Sequence, residues 1–467
     1  MSSSLNNTQL RNRRTLLHRV MVEEDEEMDR LMEEVAEEMD FDDAVFQYVN
    51  DQEEDDEMEK KQWGGSRDGR SPNKERDFQG AYEKVVRDYF NGRDSLYDEN
   101  DFERRFRVSR SIFTRVHDAV MGKDPFIRYM DATKKLGIYP LVKLVACFRY
   151  IGYGDAYDRL DEHLQLSESS LGVICKQFNT LMIKEFGPQY LNRCPTREER
   201  QILATIMERK GFPGGICSWD CKHFVWKNCP MRLSGQYKGH SEGGKNTIIL
   251  ESIGDFRRYL WYVNFGDPGS LNDLNVLDKS SIVGAMLSGT LDLKCNPYEI
   301  NGYHRDWNYF LVDGIYPKWS IFVNSYQPTT DPKKTKFSAV QEGVRKDIEC
   351  AFGILVQEFQ ILQKPLRGWY LEEITELVQC CTILHNMIQE ERMGSLTNTN
   401  YVPEEINNND DLCFALFGKE MITPEMAQRD GVDLFSARMA AFDEGMCSSV
   451  EHLKLKNDLT EHINKNF

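Results

Sequence analysis

Three acidic side chains stand at places where chemistry is easiest to build. Asp220 closes the run Gly-Gly-Ile-Cys-Ser-Trp-Asp, Asp313 follows Tyr-Phe-Leu-Val, and Glu349 lies within Val-Arg-Lys-Asp-Ile-Glu-Cys-Ala-Phe-Gly. Each sits where an apolar segment meets a loop or a partly buried helix face. Neighbouring strands run about 4.8 Å apart, so acids on two adjacent strands come close enough to share cations. Like charges at that spacing repel, and without a cation at least one tends to hold a proton; divalent ions favour the ionised forms. Oxygen-only ligation suits Mg²⁺ or Mn²⁺ rather than a structural Zn²⁺. Two such ions about 3.5–4 Å apart activate an attacking water or 3′-hydroxyl and stabilise the leaving oxygen of a phosphodiester, which is in-line phosphoryl transfer.

The elements that must position these acids begin at Gly214, where the pattern changes from helical to strand-like. Gly215–Asp220, Thr247–Ile253 and Tyr259–Phe265 read as short β-branched or aromatic strands. The last two are joined by Gly254-Asp255-Phe256-Arg257-Arg258, a length suited to a hairpin. A helix from Asn272 to Leu287, a polar excursion, a strand Tyr309–Val312 and a loop holding Pro317, Pro328 and Pro332 follow. A long helix is expected over Ser338–Leu362, with Val344, Ile348, Phe352 and Leu355 as its apolar stripe and Glu349 at the border, able to face the sheet. A final amphipathic helix carries Leu371, Ile374, Leu377, Val378, Cys381, Leu384 and Ile388 at three- and four-residue steps. The expected fold class is therefore α/β.

Before this core, residues 63–205 read as an all-α domain, with segments at Ser109–Val120, Tyr139–Tyr150, Ala156–His163 and Ser169–Ile183. Ser167 is a plausible N-cap, and the last two segments have the length and turn of a helix-turn-helix, a pattern that ordinary core packing also produces. Residues 1–62 combine Arg11, Arg13, Arg14 and Arg19 with an acidic block, a composition expected to stay disordered. Residues 21–60 hold 20 acidic side chains against Arg30 and Lys60, which accounts for the whole net charge of −18. The rest of the chain is neutral on balance. Residues 206–395 form the expected catalytic domain and 396–467 a polar extension without a functional reading.

The ordered segments SWDCKHFVWKNCP, GSLNDLNVLDKS, LVDGIYPKW, RKDIECAFGIL and CCTILHNMI resemble the plant-type branch of the PIF/Harbinger transposases, over about residues 70–392. That resemblance implies a DDE catalytic core in a ribonuclease H-like fold, a mixed sheet flanked by helices. It implies Asp220, Asp313 and Glu349 as catalytic, metal-binding positions holding a two-metal Mg²⁺ or Mn²⁺ site. Thirty-five residues separate Asp313 from Glu349, a spacing similar to that of many DDE enzymes. The chain departs from the family pattern in having Cys350, where Arg usually follows the glutamate. Asp273, near the start of a helix, competes for the middle acid; capping or support of the site is the reading preferred for it.

DNA must approach an already negative site, and bases are available for it. Lys222, Lys227, Arg232, Lys238 and Lys245 face Glu242 alone between residues 222 and 245, and a second basic stretch, 331–346, ends in Arg345 and Lys346. Trp226 and Trp319 are candidates for stacking on a base, with burial the commoner fate of such side chains. Cys221, His223 and Cys229 match no established zinc-finger spacing. Cys381 and His385 sit one helical turn apart but lack a third orienting group, so core packing is expected of them. No Gly-rich phosphate loop ending in Lys-Ser or Lys-Thr occurs.

Hydrophobic residues at 40% and charged ones at 29% are an ordinary globular balance, which argues against a wholly disordered or collagen-like chain. No apolar run approaches the ~18 residues of a membrane span, and MSSSLNNTQLRNRR lacks the apolar stretch of a secretory signal. Twelve Cys then read mostly as reduced thiols. The expected partners are transposon terminal repeats and target DNA, a separate Myb-like DNA-binding protein and a second copy of the chain, with residence in the nucleus. The alternative is a catalytically silent descendant kept as a DNA-binding or protein-interaction scaffold.

Overall fold

The computed structural model describes residues 74–130, 134–193, 195–239, 243–287, 291, 293–294, 296–393 and 445–467. The acidic tail, expected to be disordered, and most of the polar extension lie outside the described residues. Among the described residues no helix is long and apolar enough to cross a membrane.

Among the described residues, seven α-helices precede the sheet: α1 (Phe78–Val85), α2 (Glu99–Phe106), α3 (Arg110–Val120), α4 (Pro140–Tyr153), α5 (Asp158–Leu164), α6 (Glu168–Tyr190) and α7 (Arg197–Arg209). Their starts are written locally. Ser109 accepts the Ile112 N–H, Ser167 the Ser170 N–H, and Pro140 opens α4 where its missing N–H costs nothing. Gly154 ends α4 in the left-handed region, and a Cβ there would stand 2.6 Å from the Ile361 Cα. Phe102, Phe106, Phe113 and Phe148 interlock as the aromatic centre of this part.

The helix-turn-helix pair exists as α5 and α6, but α6 buries Leu171, Ile174, Phe178 and Met182. Lys176, one of its basic side chains, is ion-paired with Glu373. It serves as a core helix. The expected division at residues 205 and 206 falls inside α7, and a continuous hydrophobic core runs from these helices into the sheet.

Five strands form the main sheet, in the order β3-β2-β1-β6-β7: β1 (Gly215–Val225), β2 (Thr247–Gly254), β3 (Leu260–Pro268), β6 (Tyr309–Leu311) and β7 (Phe322–Val323). β1 and β2 pair antiparallel, as do β2 and β3, while β1, β6 and β7 run parallel. The chain is thus mixed α/β. Asp220 does not end its strand as expected, because β2 continues to pair with β1 as far as Val225 opposite Thr247.

The helix expected over Asn272–Leu287 is two, α8 (Asp273–Lys279) and α9 (Ser281–Leu287), broken at Ser280, whose hydroxyl meets the Tyr262 hydroxyl at 3.2 Å. The polar excursion contains an unexpected hairpin, β4 (Tyr298–Ile300) and β5 (Tyr303–Arg305). Its turn is Asn301-Gly302, both at positive φ, the dipeptide such turns favour. The long helix α10 (Pro332–Glu358) starts earlier than expected, since Asp331 caps it and Pro332 suits its first position, and it ends before Phe359. Next come α11 (Leu371–Met393) and, after the gap in description, α12 (Ser449–Asn466). Leu455, Leu459 and Ile463 of α12 complete a second core with Phe212, Tyr309, Leu311, Val323 and Phe337.

The CCTILHNMI segment clamps the β2–β3 hairpin. His385 donates from Nε2 to the Arg258 carbonyl (2.9 Å) and faces Glu358 through Nδ1 (2.8 Å). Asn386 accepts the Leu260 N–H and donates to the carbonyls of Leu260 and Tyr190. Cys381 and His385 are both fully buried, in the core role expected of them.

Candidate active site

Strand alternation selects the face on which the site is built. Tyr309 and Leu311 enter the core shared with α10, whereas Phe310 packs on Trp219 beneath the sheet. The parallel register sets Ser218 against Leu311, so two residues on, Asp313 reaches the level of Asp220. Asp313 is exposed and accepts the Gly314 N–H at 2.6 Å.

Helix α10 presents Gln341, Arg345 and Glu349 at four-residue steps, which places them along one face. Gln341 is fully buried and donates to the carbonyls of Val312 and Val323, both at 3.0 Å. It thereby fixes the chain immediately before Asp313. One turn later, Arg345 reaches Asp220 Oδ2 at 2.9 Å and Glu349 Oε1 at 2.6 Å. The Arg345 and Asp220 side chains are each 15% exposed, against 44% for Glu349.

Burial pushes the Asp220 carboxyl up to about 6. Arg345 and the Cys221 N–H pull it down, and the nearby charges of Asp313 and Glu349 raise it. The three acids are therefore electrostatic neighbours. Among the described residues, no group of three or more Asp, Glu, His or Cys side chains is gathered closely enough to hold a metal ion, and the Arg345 guanidinium bridges Asp220 and Glu349. Carboxylate oxygens, the donors these residues offer, are the kind that Mg²⁺ and Mn²⁺ prefer.

Asp273 is the first residue of α8, and the cap comes from the neighbouring Asn272, which accepts the Asn275 N–H. Lys222 shares the Asp220 face by alternation and lies half-buried, its ammonium 5.8 Å from the Phe224 ring. Lys227, Arg232, Lys238 and Lys245 are exposed on the segment beyond β1, and Lys346 is exposed on α10. Arg345 differs from them in being turned onto the acids. Trp226 is buried, donating Nε1–H to the Gly368 carbonyl at 2.9 Å, and Trp319 stacks on Phe322. Cys221, His223 and Cys229 face different partners: the Tyr316 hydroxyl, the Thr247 hydroxyl and the Pro230 carbonyl. Gln341 was not apparent as a site residue, although its four-residue step from Arg345 and eight from Glu349 is visible in the sequence.

Residues 188–395 match the family described as plant transposon proteins, and residues 82–121 match one described as a domain of unknown function. No curated protein and no solved structure matches the chain. The first match takes in the strands and helices that carry all three acids. By it the chain is related to the PIF/Harbinger-type transposases.

Proposed function

We propose that the protein is a Harbinger-like DDE transposase, a divalent-metal-dependent DNA endonuclease and strand-transferase on a ribonuclease H-like core. The observation that carries this reading is the grip of Arg345 on Asp220 of β1 and Glu349 of α10, with Asp313 just past β6 as their electrostatic neighbour, inside a plant transposon family region. The strand order 3-2-1 followed by two parallel strands supports the ribonuclease H-like assignment.

Asp220, Asp313 and Glu349 would hold Mg²⁺ or Mn²⁺, which supplies Lewis acidity for activating water or a 3′-hydroxyl against a phosphodiester. Asp220 offers a carboxylate fixed on the central strand, and Gln341 orients the approach to Asp313. Arg345 holds the first and third acids together, and its guanidinium would be suited to a DNA phosphate were those acids to hold a divalent ion instead. Lys222 and the exposed bases beyond β1 neutralise the incoming backbone. Transposon ends and target DNA in the nucleus, with a Myb-like partner supplying specificity, complete the proposal.

The test is nicking of duplex DNA carrying the element's terminal repeats, by the purified full chain in Mn²⁺. Asp220→Ala should lower the rate at least ~10³-fold, about 4 kcal/mol of transition-state stabilisation. Cleavage retained in that variant would overturn the assignment. A wild-type protein that binds DNA without cutting would favour the silent scaffold, in which Arg345 keeps the acids permanently.

A further inference from the structure

The turn between α10 and α11, residues 364–370, is tied firmly to the far end of β1. Leu366 donates to the Val225 carbonyl and Lys227 to the Leu366 carbonyl, each at 2.8 Å. Side chains add to this, with Trp226 Nε1–H on the Gly368 carbonyl (2.9 Å) and Asn228 Nδ2–H on the Arg367 carbonyl (2.6 Å). The turn is also packed from behind, since a Cβ on Gly368 would lie 2.5 Å from the Ile374 side chain.

This fixed frame presents two consecutive aromatic side chains to solvent, Trp369 at 66% exposure and Tyr370 at 64%. Lys227 and Arg367 are exposed on the same framework. Among the described residues no ion pair engages either base, nor Glu372 just beyond, while Glu373 is held by Lys176. Large exposed aromatics on a rigid turn are the surface feature most in need of a ligand. Held in place before binding, they lose little entropy on contact.

Resting on the reading of DNA as substrate, we infer that Trp369 and Tyr370 form a stacking platform for unpaired bases of the DNA, with Lys227 and Arg367 contacting the flanking phosphates. Aromatic side chains stack on bases of any sequence, and two unneutralised bases match a polyanion rather than an apolar peptide. The platform also lies on the path from the acids. Asp220 and Lys222 share one face of β1 by alternation, and Trp226, the residue just past its end, carries the turn. Six residue steps of extended chain lead from Asp220 to Trp226, about 20 Å, or roughly six phosphate steps along a DNA strand. Because base faces inside a duplex are covered, the platform acts on DNA opened or frayed at that distance from the cut.

The experiment compares binding of the full chain to a blunt duplex and to the same duplex with a single-stranded tail carrying 2-aminopurine, without added metal. Trp369→Ala and Tyr370→Ala should each weaken tailed DNA about tenfold and leave blunt DNA unchanged, with Trp369→Phe retaining most of the affinity. Stacking should quench 2-aminopurine fluorescence in the wild type and not in Trp369→Ala. Replacing Lys227 and Arg367 by Gln should lower the salt dependence by close to two phosphates. Equal affinity of wild type and aromatic variants for tailed DNA overturns the platform and points to a protein partner for this surface. Equal losses on blunt and tailed DNA overturn the stacking assignment. If the wild type binds neither DNA, the functional reading itself fails, and the platform with it.

Discussion

Asp220→Asn should make the protein more stable at neutral pH while removing its proposed function. The Asp220 carboxyl is held at about 6 by burial, although Arg345 opposes the shift, against a value of 3.8 for the ordinary side chain. The folded chain therefore keeps a proton that the unfolded chain releases between about pH 4 and pH 6. Stability falls as pH rises through that window and stays low above it. Two pH units at 1.36 kcal/mol each give a cost of about 3 kcal/mol for the ionised acid at pH 7. Asparagine copies the shape of the protonated acid without the charge, and the Arg345 contact to Glu349 survives the change. Urea unfolding of the wild type and Asp220→Asn at a series of pH values provides the measurement. The two proteins should have equal stability near pH 3.5 and diverge by about 3 kcal/mol above pH 7, in favour of the variant. A variant less stable than the wild type at pH 7 would refute the reasoning, because the ionised Asp220 would then be a net contributor to the fold.

Arg345→Met should act in the opposite sense, lowering stability by about 2–4 kcal/mol, mostly through the buried Asp220 contact since the Glu349 arm is half-exposed. In an Asp220→Asn background the same substitution should cost below about 1 kcal/mol, a coupling that urea unfolding of the four proteins measures directly. Glu251, buried on β2 and accepting Trp219 Nε1–H at 3.1 Å, is pushed up to about 8 by burial. Stability should fall as pH rises from about 4.5 to 8 on its account, and Glu251→Gln should flatten that part of the melting-temperature profile.

The placement of the three acids was legible because each depends on local rules. Asp313 follows an apolar run that forms a buried strand and Glu349 borders a helical stripe, whereas Asp220, expected to end its strand, sits within β1 because β2 keeps pairing with it to Val225. The register came from β1 pairing with β6 across more than 90 residues of sequence, a long-range fact that no window of the chain contains. The β4–β5 hairpin was missed despite Asn301-Gly302, a strong local signal that the surrounding polar residues obscured. The four-residue steps of Leu455, Leu459 and Ile463 announce an amphipathic helix, but its partners are Phe212, Tyr309 and Phe337, which sequence order does not bring near it.

Arg345 shows most clearly why site chemistry outruns sequence reading. As one of several bases near the acids it looked like a phosphate contact, yet the geometry makes it their counter-ion. Both descriptions belong to one cycle if the guanidinium leaves the carboxylates when metal arrives and meets DNA when substrate does. Local rules argue against the arrangement: a half-buried aspartate is costly, and an asparagine would fit the strand at lower free energy. Structures tolerate such conflicts chiefly where a function requires them. On the proposed function that cost has a use, since an enzyme that must capture a divalent ion needs a charge that a scaffold does not, and the stability of Asp220→Asn measures the cost.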